Sequence, residues 1–221
     1  MILTDLSILG AIANGEIEIR PFDRERLGSN SYDLTLGNKL LVYPGYTTAR
    51  VKLDCKQPAI GYREEVIPEI GYTLWPGNLY LGYTNEFTAA HKTVPMIEGK
   101  SSIGRLGIRI HATAGFGDIG FAGTWTLEID CVVPVIIYPN MPIAQIYFVE
   151  VKGKCLKPYS SKKDAKYTNQ QAGPVSSAMW KNWDKPMTPQ EQIFYDQTTK
   201  QIEQITGDMV PHPLAEYRFY D

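Results

Sequence analysis

The sequence predicts a mainly β protein with a short N-terminal helix and a helical extension at its C-terminal end. Short apolar or alternating segments, separated by turn residues, recur from about residue 16 to residue 152. Many short strands at this spacing are typical of barrels and sandwich-like all-β folds. The chain has 221 residues, of which 43% are hydrophobic, so one domain with a sizeable core is expected.

The first predicted element is a helix in the segment TDLSILGAIANG. Thr4 is a suitable N-cap and Gly15 a suitable C-terminal stop. The apolar residues between them follow helical spacing: Leu6, Ile8, Leu9 and Ile12. The segment EIEIRPF comes next and alternates between charged and apolar residues, which predicts a strand.

The region that follows is predicted to form short strands joined by tight turns. The predicted strand segments are YDLTLGNKLLVYPG, YTLWPGNLYLGYT, LGIRIHATAG, GTWTLEIDCVV and PVIIYPNMPIAQIYFVEV. Turn signals lie at Gly37-Asn38, Pro76-Gly77 and Pro139-Asn140. We therefore expect a β domain over residues 1–156.

The composition changes after residue 156. Residues 157–186 are polar and are predicted to form an arm. The arm carries hydrogen-bond donors and aromatic side chains, so it is either a lid over a ligand or a disordered tail. Residues 187–221 form the predicted helical extension, which begins with a capping box between Thr188 and Glu191. Its apolar face is sparse, as in a peripheral helix.

Charge, cysteine content and hydropathy exclude several classes of protein. The formal net charge of −2 leaves no broad basic surface, so no nucleic-acid partner is expected. The three cysteines are widely spaced and odd in number, which argues against a disulfide framework and favours a reducing compartment. The N-terminus lacks the basic region of a signal peptide, and no apolar run approaches the roughly 20 residues of a membrane span. A cytoplasmic protein without a membrane partner is expected.

The segment EGKSSIGR concentrates groups that bind anions. Gly99 allows close backbone approach, Lys100 offers a point charge, and Arg105 offers a fork of donors. Ser101 and Ser102 add hydroxyl and amide donors. The P-loop spacing is absent, so a triphosphate site of another kind and a polar surface turn are both open interpretations.

Glu128 is a carboxylate within an apolar, β-branched strand segment. Strand alternation puts it on one face together with Thr126 and Asp130, opposite the apolar residues. On an interior face this carboxylate would be paired with an arginine, for which Arg105 is the candidate, or tuned for proton transfer. The alternative is a strand residue that faces outward.

Other catalytic signals are weak or absent. His111 is predicted to be a core histidine with satisfied hydrogen bonds, and Asp118 a turn residue. The zinc motifs H-x-E with P-C-x-x-C and H-E-x-x-H do not occur, so hydrolysis without protein-bound zinc is expected. A serine nucleophile elbow, G-x-S-x-G, does not occur either.

Together these segments resemble the dCTP deaminase family of the dUTPase-like superfamily. The resemblance runs from MILTDLSILGAI to about Gly173 and is carried by five pieces in the family's order and spacing: NSYDLTLGNKL, EGKSSIGRLG, HATAGFGDIGFAG, TLEI and DAKYTNQQ. It implies a dUTPase-like distorted β-barrel, or β-clip, assembled as a homotrimer with active sites at the subunit interfaces. It also implies zinc-independent hydrolysis of dCTP to dUTP and ammonia, in the supply of dUMP and dTTP precursors, with Mg²⁺ bound through the nucleotide triphosphate.

The resemblance carries site residues over by position. Glu128 is the implied general acid/base, and Ser101 and Arg105 are its implied partners in holding the base and the water. The implied substrate contacts are Lys100, Ser102, Ala114, Tyr159, Lys166 and Gln170. One carboxylate can serve the attacking water, N3 of cytosine and the leaving ammonia if partial burial raises its pKa toward neutrality.

Two positions depart from the family's pattern, and one feature favours a second activity. Lys100 stands where Arg is usual, which removes a bidentate fork, and Ile119 stands where Pro is usual. The segment HATAGF, with Gly115 after Ala114, resembles bifunctional members that take dCTP through to dUMP and pyrophosphate. In that alternative the substrate-site residue Asp118 holds the water that attacks the phosphate. A dUTPase alone and a non-catalytic nucleotide-binding trimer are the remaining alternatives.

Overall fold

The structure, a computed structural model, describes residues 1–43, 52–111, 114–162 and 165–183, and single residues between 189 and 200. Within these ranges the helices are α1 (Asp5–Ala13) and α2 (Ser101–Gly104), with 3-10 turns at Arg24–Arg26, Tyr159–Ser161 and Met179–Trp183. The strands of the described residues, in chain order, are β1 (Ile17–Arg20), β2 (Tyr32–Thr35), β3 (Lys39–Tyr43), β4 (Arg63–Val66), β5 (Tyr72–Leu74), β6 (Leu79–Tyr83), β7 (Phe87–Ala90), β8 (Thr93–Gly99), β9 (Ile108–Arg109), β10 (Ala122–Gly123), β11 (Thr126–Cys131), β12 (Val135–Ile137) and β13 (Pro142–Glu150). The prediction of a mainly β fold is confirmed.

The named strands pair in antiparallel fashion and form four sheets within the described residues. The largest has the order β4-β3-β6-β11-β9, and the others are β1-β7-β10, β2-β13-β8 and β5-β12. β11 lies inside the largest sheet and pairs Glu128 with Leu81 of β6. β8 pairs with β13 and leads at Gly99 directly into α2. These two strands therefore position the residues that the sequence singles out.

The N-terminal helix forms where it is predicted, but it buries a different set of residues. α1 buries Ile8 and Ala11, whereas Leu6 is exposed. Leu6 is two positions, or about 200°, from Ile8 around the helix, so the two cannot face the same core. Thr4 occupies the N-cap position without a side-chain cap bond, and Gly15 follows the helix with a φ of 67°. The predicted glycine stop is therefore confirmed.

The three predicted turns each join consecutive strands: β2 to β3, β5 to β6 and β12 to β13. Gly77 and Asn140 adopt φ values of 85° and 62°, the left-handed conformation that tight turns use. Gly37 is needed for space instead, because a Cβ there would lie 2.1 Å from the ring of Tyr83. The turn chemistry read from the sequence is thus confirmed.

A cluster of buried apolar residues draws on α1 and on all four sheets. Its largest fully buried side chains include Tyr32, Tyr80, Phe148, Leu127 and Ile129. Two of these, Leu127 and Ile129, come from β11 and fill the core from the side of the strand opposite Glu128. The core therefore fixes the direction in which Glu128 points.

A fully buried carboxylate is present, but it is Glu86 rather than Glu128. Glu86 is 0% exposed, and Arg26 donates a hydrogen bond to its Oε1 at 2.7 Å. Thr35 donates its backbone N–H to Oε2 and its hydroxyl to Oε1, each at 2.8 Å. Pairing of this kind offsets the desolvation of a buried charge. Sequence reasoning missed Glu86 because nothing local marks the turn segment TNEF as interior.

The arm is packed on the β domain in its described part. Tyr159 donates its backbone N–H to Ile119 O at 2.7 Å, and Asn169 donates to Ala122 O at 2.7 Å. The interpretation of the arm as a disordered tail is therefore wrong for these residues. In the helical extension the described residues are helical: Pro189, Gln190, Ile193, Asp196, Gln197 and Lys200. The predicted capping pair Thr188 and Glu191 lies outside the described residues.

No helix among the described residues is long and apolar enough to cross a membrane.

Candidate active site

Glu128 lies on the partly exposed face of β11. The burial of this strand alternates, so that Leu127 and Ile129 are buried while Thr126, Glu128 and Asp130 are half-buried. The face predicted from the sequence is confirmed, but it is not an interior face, because 36% of the Glu128 side chain is exposed. An outward-facing carboxylate is a group that a ligand can reach.

Within the described chain, Glu128 faces His111 rather than Arg105. His111 Nδ1 lies 3.9 Å from Glu128 Oε2, and only 6% of the histidine side chain is exposed. Neither ring nitrogen of His111 has a hydrogen-bond partner among the described residues. The prediction that His111 is buried is therefore confirmed, whereas the satisfied hydrogen bonds predicted for it are not found among the described residues, where its ring faces Glu128.

The pKa of Glu128 is also shifted in the direction opposite to the one expected from the sequence. Contact with His111 lowers the pKa of Glu128 below its ordinary value, and this effect outweighs the burial that would raise the pKa. The sequence interpretation expected burial to dominate. In the structure Glu128 is instead held as a carboxylate, which is the form that accepts a proton.

Arg105 does not contact Glu128 within the chain. Arg105 is exposed after the end of α2, and it makes no ion pair in the part of the chain that the structure describes. A different arginine, Arg109 of β9, holds the neighbouring Asp130 with two hydrogen bonds of 2.7 and 2.5 Å. Sequence alternation predicts which face of β11 carries the carboxylates. It cannot predict which arginine contacts that face, because the arginine comes from another strand.

The segment EGKSSIGR forms a strand end and a one-turn helix rather than a hairpin turn. Ser101 and Ser102 begin α2 and are exposed. Lys100 precedes them and forms an ion pair with Asp33 of β2. Gln145 of β13 is the register partner of Asp33. Sequence reasoning missed Asp33, although it lies in the quoted segment NSYDLTLGNKL.

The segment from Ala114 to Asp118 runs alongside β8. Ile97 donates its backbone N–H to Gly115 O at 2.7 Å, and Gly117 donates to Pro95 O at 2.9 Å. A Cβ at Gly115 would lie 2.3 Å from Ile97 O. Gly115, which the sequence resemblance linked to the bifunctional members, is therefore required by close backbone packing.

Asp118 is held by the arm. Lys162 donates a hydrogen bond to Asp118 Oδ2 at 2.7 Å, and its Nζ lies 5.4 Å from the centre of the Tyr159 ring. Tyr159 also packs against Phe121, and its hydroxyl accepts a hydrogen bond from Tyr167 N at 3.0 Å. The first part of the arm thus covers the turn that carries Asp118.

The second part of the arm reaches the strand that carries Glu128. Gln170 donates its side-chain amide to Thr126 Oγ1 at 2.7 Å, and Thr124 donates its backbone N–H to Gln170 O at 3.1 Å. Val175 N adds a second hydrogen bond to Thr126 Oγ1 at 3.1 Å. Lys166 is half-buried on the same arm. The arm therefore brings Gln170 close to the Glu128 face, with Thr126 as an intermediate that sequence reasoning did not assign.

The predicted site residues consequently fall into two groups in the single chain. Gln170 bonds to Thr126 on the face of β11 that also carries Glu128, and Tyr159 and Asp118 contact other residues of the arm and its neighbouring turn. Ser101, Ser102 and Arg105 form a separate exposed group at α2, next to Lys100. Among the described residues, no group of three or more His, Cys, Asp or Glu side chains is arranged to hold a metal ion.

The chain matches known proteins over most of its length. A family profile described as dCTP deaminase-like matches residues 2–151. A protein of Clostridium botulinum named "dCTP deaminase, dUMP-forming" is 51% identical over 185 residues, which cover 84% of this chain and 100% of that protein. A protein of the same name from Cytophaga hutchinsonii is 45% identical over 185 residues, with the same two coverages.

The fold also matches a solved structure, the crystal structure of 2'-deoxycytidine 5'-triphosphate deaminase from Agrobacterium tumefaciens. The identity is 23% and the TM-score 0.51, and the match covers 66% of this chain and 47% of that chain. This likeness confirms the fold that the sequence resemblance implied. Together with the profile and the two relatives, it shows that the chain is an enzyme of the dCTP deaminase-like family.

Proposed function

We propose that this enzyme hydrolyses dCTP to dUMP, ammonia and pyrophosphate, consuming two waters. The observation that carries the proposal is the pair of relatives, 51% and 45% identical and matched over their whole length, which share the name "dCTP deaminase, dUMP-forming". The bifunctional alternative thereby replaces the release of dUTP as the main hypothesis.

Deamination is assigned to the face of β11 that carries Glu128. Its carboxylate can take a proton from the water that attacks C4 and deliver it to N3. It can then move the second proton of that water, from the new C4 hydroxyl, to the amino group that leaves as ammonia. Contact with His111 holds the pKa of Glu128 down, so the reaction starts with the base form. A cytosine ring bound over this face would exclude water and raise that pKa, which favours the later delivery of the proton.

The residues of α2 are assigned to the active site of a neighbouring subunit. Ser101 and Arg105 are exposed, and no hydrogen bond or ion pair joins them to Glu128 among the described residues, so we assign them to the carboxylate of a second copy. Apolar side chains beside them support such a contact: Leu106, Val132 and Val133 are all exposed. In a homotrimer built this way, Ser101 orients the water and Arg105 orients Glu128.

The substrate is the Mg²⁺ complex of dCTP, and Lys100, Ser102, Tyr159 and Lys166 are assigned to its phosphates. Lys100 would exchange its ion pair with Asp33 for a phosphate oxygen. Asp118 is assigned to the water that attacks the α-phosphate, which is the step that releases pyrophosphate. The contact with Lys162 supports this role, because it fixes the Asp118 carboxylate while 42% of that side chain stays exposed to the water that it would orient.

The test is the stoichiometry of products. The enzyme is incubated with dCTP and Mg²⁺ and no other nucleotide, and nucleotides, ammonia and pyrophosphate are quantified over time. The proposal predicts dUMP, ammonia and pyrophosphate in equal amounts. Accumulation of dUTP with ammonia but no pyrophosphate would show a deaminase alone, and the bifunctional assignment would be wrong.

A further inference from the structure

We infer that the Thr126 hydroxyl determines recognition of the pyrimidine by donating a hydrogen bond to the O2 carbonyl of the base, and that the arm fixes it as a donor. This deepens the proposed function, since it rests on Glu128 facing the reacting base. It does not depend on whether the product is dUMP or dUTP, because the base is read before either phosphate bond breaks.

The hydrogen bonds that Thr126 already makes leave its hydroxyl only one further role. The oxygen can accept two hydrogen bonds and donate one. In the structure Thr126 Oγ1 accepts from Gln170 Nε2 at 2.7 Å and from Val175 N at 3.1 Å. Both acceptor positions are therefore filled, and within the described chain the O–H proton has no acceptor. The hydroxyl is left with one capacity, which is to donate.

Thr126 lies on the same face of β11 as Glu128. Thr126 and Glu128 are two residues apart on one strand, so their side chains project from the same face of β11, and both are half-buried. A ring that presents its N3 and C4 edge to Glu128 lies beside Thr126. Cytosine has two ring-edge acceptors, N3 and O2. Because Glu128 delivers its proton to N3, the acceptor that remains for Thr126 is O2.

The arm holds the side chain of Gln170 against Thr126. Gln170 is fixed on its other side as well, since its amide also donates to Gly173 O at 3.2 Å and its backbone carbonyl accepts from Thr124 N at 3.1 Å. These contacts orient the amide nitrogen of Gln170, rather than its oxygen, toward Thr126. If the arm leaves, the acceptor positions of Thr126 open to water and the direction of its hydroxyl is no longer fixed. Arm docking and base recognition are thus coupled through one hydroxyl.

The test compares Thr126→Val, which removes the hydroxyl at nearly constant volume, with Thr126→Ser, which keeps it. The nucleotides are dCTP and 2-thio-dCTP, whose sulfur is a weak acceptor at the O2 position. The measurement is the rate at which each nucleotide disappears from an equimolar mixture, separated by chromatography, which gives the ratio of kcat/KM for oxygen over sulfur. We expect the unaltered enzyme and Thr126→Ser to prefer dCTP by about tenfold, the value of one hydrogen bond, and Thr126→Val to show no preference.

A second pair of variants replaces the hydrogen-bond donor of Gln170 by an acceptor. In Gln170→Glu the carboxylate accepts the Thr126 proton and removes the donor, so the preference for dCTP should fall as it does in Thr126→Val. Gln171→Glu is the matched control, because Gln171 carries the same charge change but bonds to Asn169 O rather than to Thr126. Its preference and its rate should stay within about threefold of the unaltered enzyme.

Each result decides the inference. An unchanged preference in Thr126→Val would overturn it, and so would an equal loss of activity on both nucleotides, which is the result of a purely structural role. Tryptic cleavage at Lys162 and Lys166 reports whether the arm is still docked in each variant. If Glu128→Gln retains deamination, the assignment of Glu128 fails, whereas the preference measured with Thr126→Val still tests the contact with O2.

Discussion

His111 Nδ1 lies 3.9 Å from Glu128 Oε2, with the imidazole almost fully buried and the carboxylate partly exposed. This pairing gives the partly exposed face of β11 a carboxylate whose pKa is lowered by a buried imidazole. His111 is the residue whose role changes most between sequence and structure, because its side chain contacts Glu128 across a gap of 17 positions in the chain.

The pH dependence of deamination should report this pair. Contact with His111 lowers the pKa of Glu128, so the carboxylate stays ionised to a lower pH than an ordinary glutamate. In His111→Asn the lowering contact is gone and burial, which raises the pKa, remains. We predict that the acidic limb of the kcat/KM profile for dCTP moves to higher pH. The exposed His91→Asn is the control, and an unmoved limb in His111→Asn would contradict the assignment.

Asp118 should control the phosphate step rather than deamination. Because Asp118 is assigned to the water that attacks the α-phosphate, Asp118→Asn should release ammonia at a nearly normal rate while dUTP accumulates in place of dUMP. Chromatography of products from dCTP measures the ratio. Lys162→Met breaks the 2.7 Å pair but keeps the carboxylate, so it should still form dUMP. An equal fall of both steps in Asp118→Asn would show that the residue only holds the arm.

Gly115 should prove to be a stability determinant. A Cβ at this position meets Ile97 O at 2.3 Å, and both are backbone-paired, so the clash cannot be relieved by a side chain. We predict that Gly115→Ala lowers the free energy of unfolding by about 1–3 kcal/mol. Gly10→Ala is the control, because nothing lies within 4 Å of its Cβ position in α1 and alanine favours a helix. Denaturant unfolding that shows no difference between them would refute the packing argument.

Glu86 should contribute to stability through its buried pair with Arg26. Glu86 is fully buried while 30% of the Arg26 side chain is exposed, so Glu86→Gln, which weakens the hydrogen bonds to Arg26 and Thr35, is expected to cost about 1–3 kcal/mol of unfolding free energy. Glu16→Gln breaks the 2.6 Å surface pair with Lys92 and should cost less than about 1 kcal/mol. Equal unfolding midpoints for the two variants would mean that the pair to Arg26 contributes nothing.

Local patterns predicted the elements and one face of the site. Alternation around Glu128 identified the partly exposed side of β11, and turn residues such as Asn140 placed the strand boundaries. These predictions work because the strand period and the turn conformations are properties of a few adjacent residues.

Side-chain partners were harder to predict. Arg105 does not contact Glu128 within the described chain, and Glu86 and Asp33 were not noticed, because each contact depends on which distant segments become neighbours. Thr126 looked like an ordinary strand residue, since its importance comes from an arm more than forty positions away, with Gln170 at 2.7 Å. The roles proposed for Thr126 and Gln170 depend on contacts between a strand and the arm, where a single sequence carries least information.

The most direct test of the account is ammonia release by Glu128→Gln, with dCTP binding measured in parallel by calorimetry. The account predicts that kcat falls by about 10²–10⁴-fold, the contribution of a general acid/base, while dCTP affinity changes by less than about threefold. Glu64→Gln, on an exposed position of β4, should leave both quantities unchanged. Glu128→Gln activity within a few-fold of the unaltered enzyme would contradict the assignment of Glu128 as the group that moves the protons.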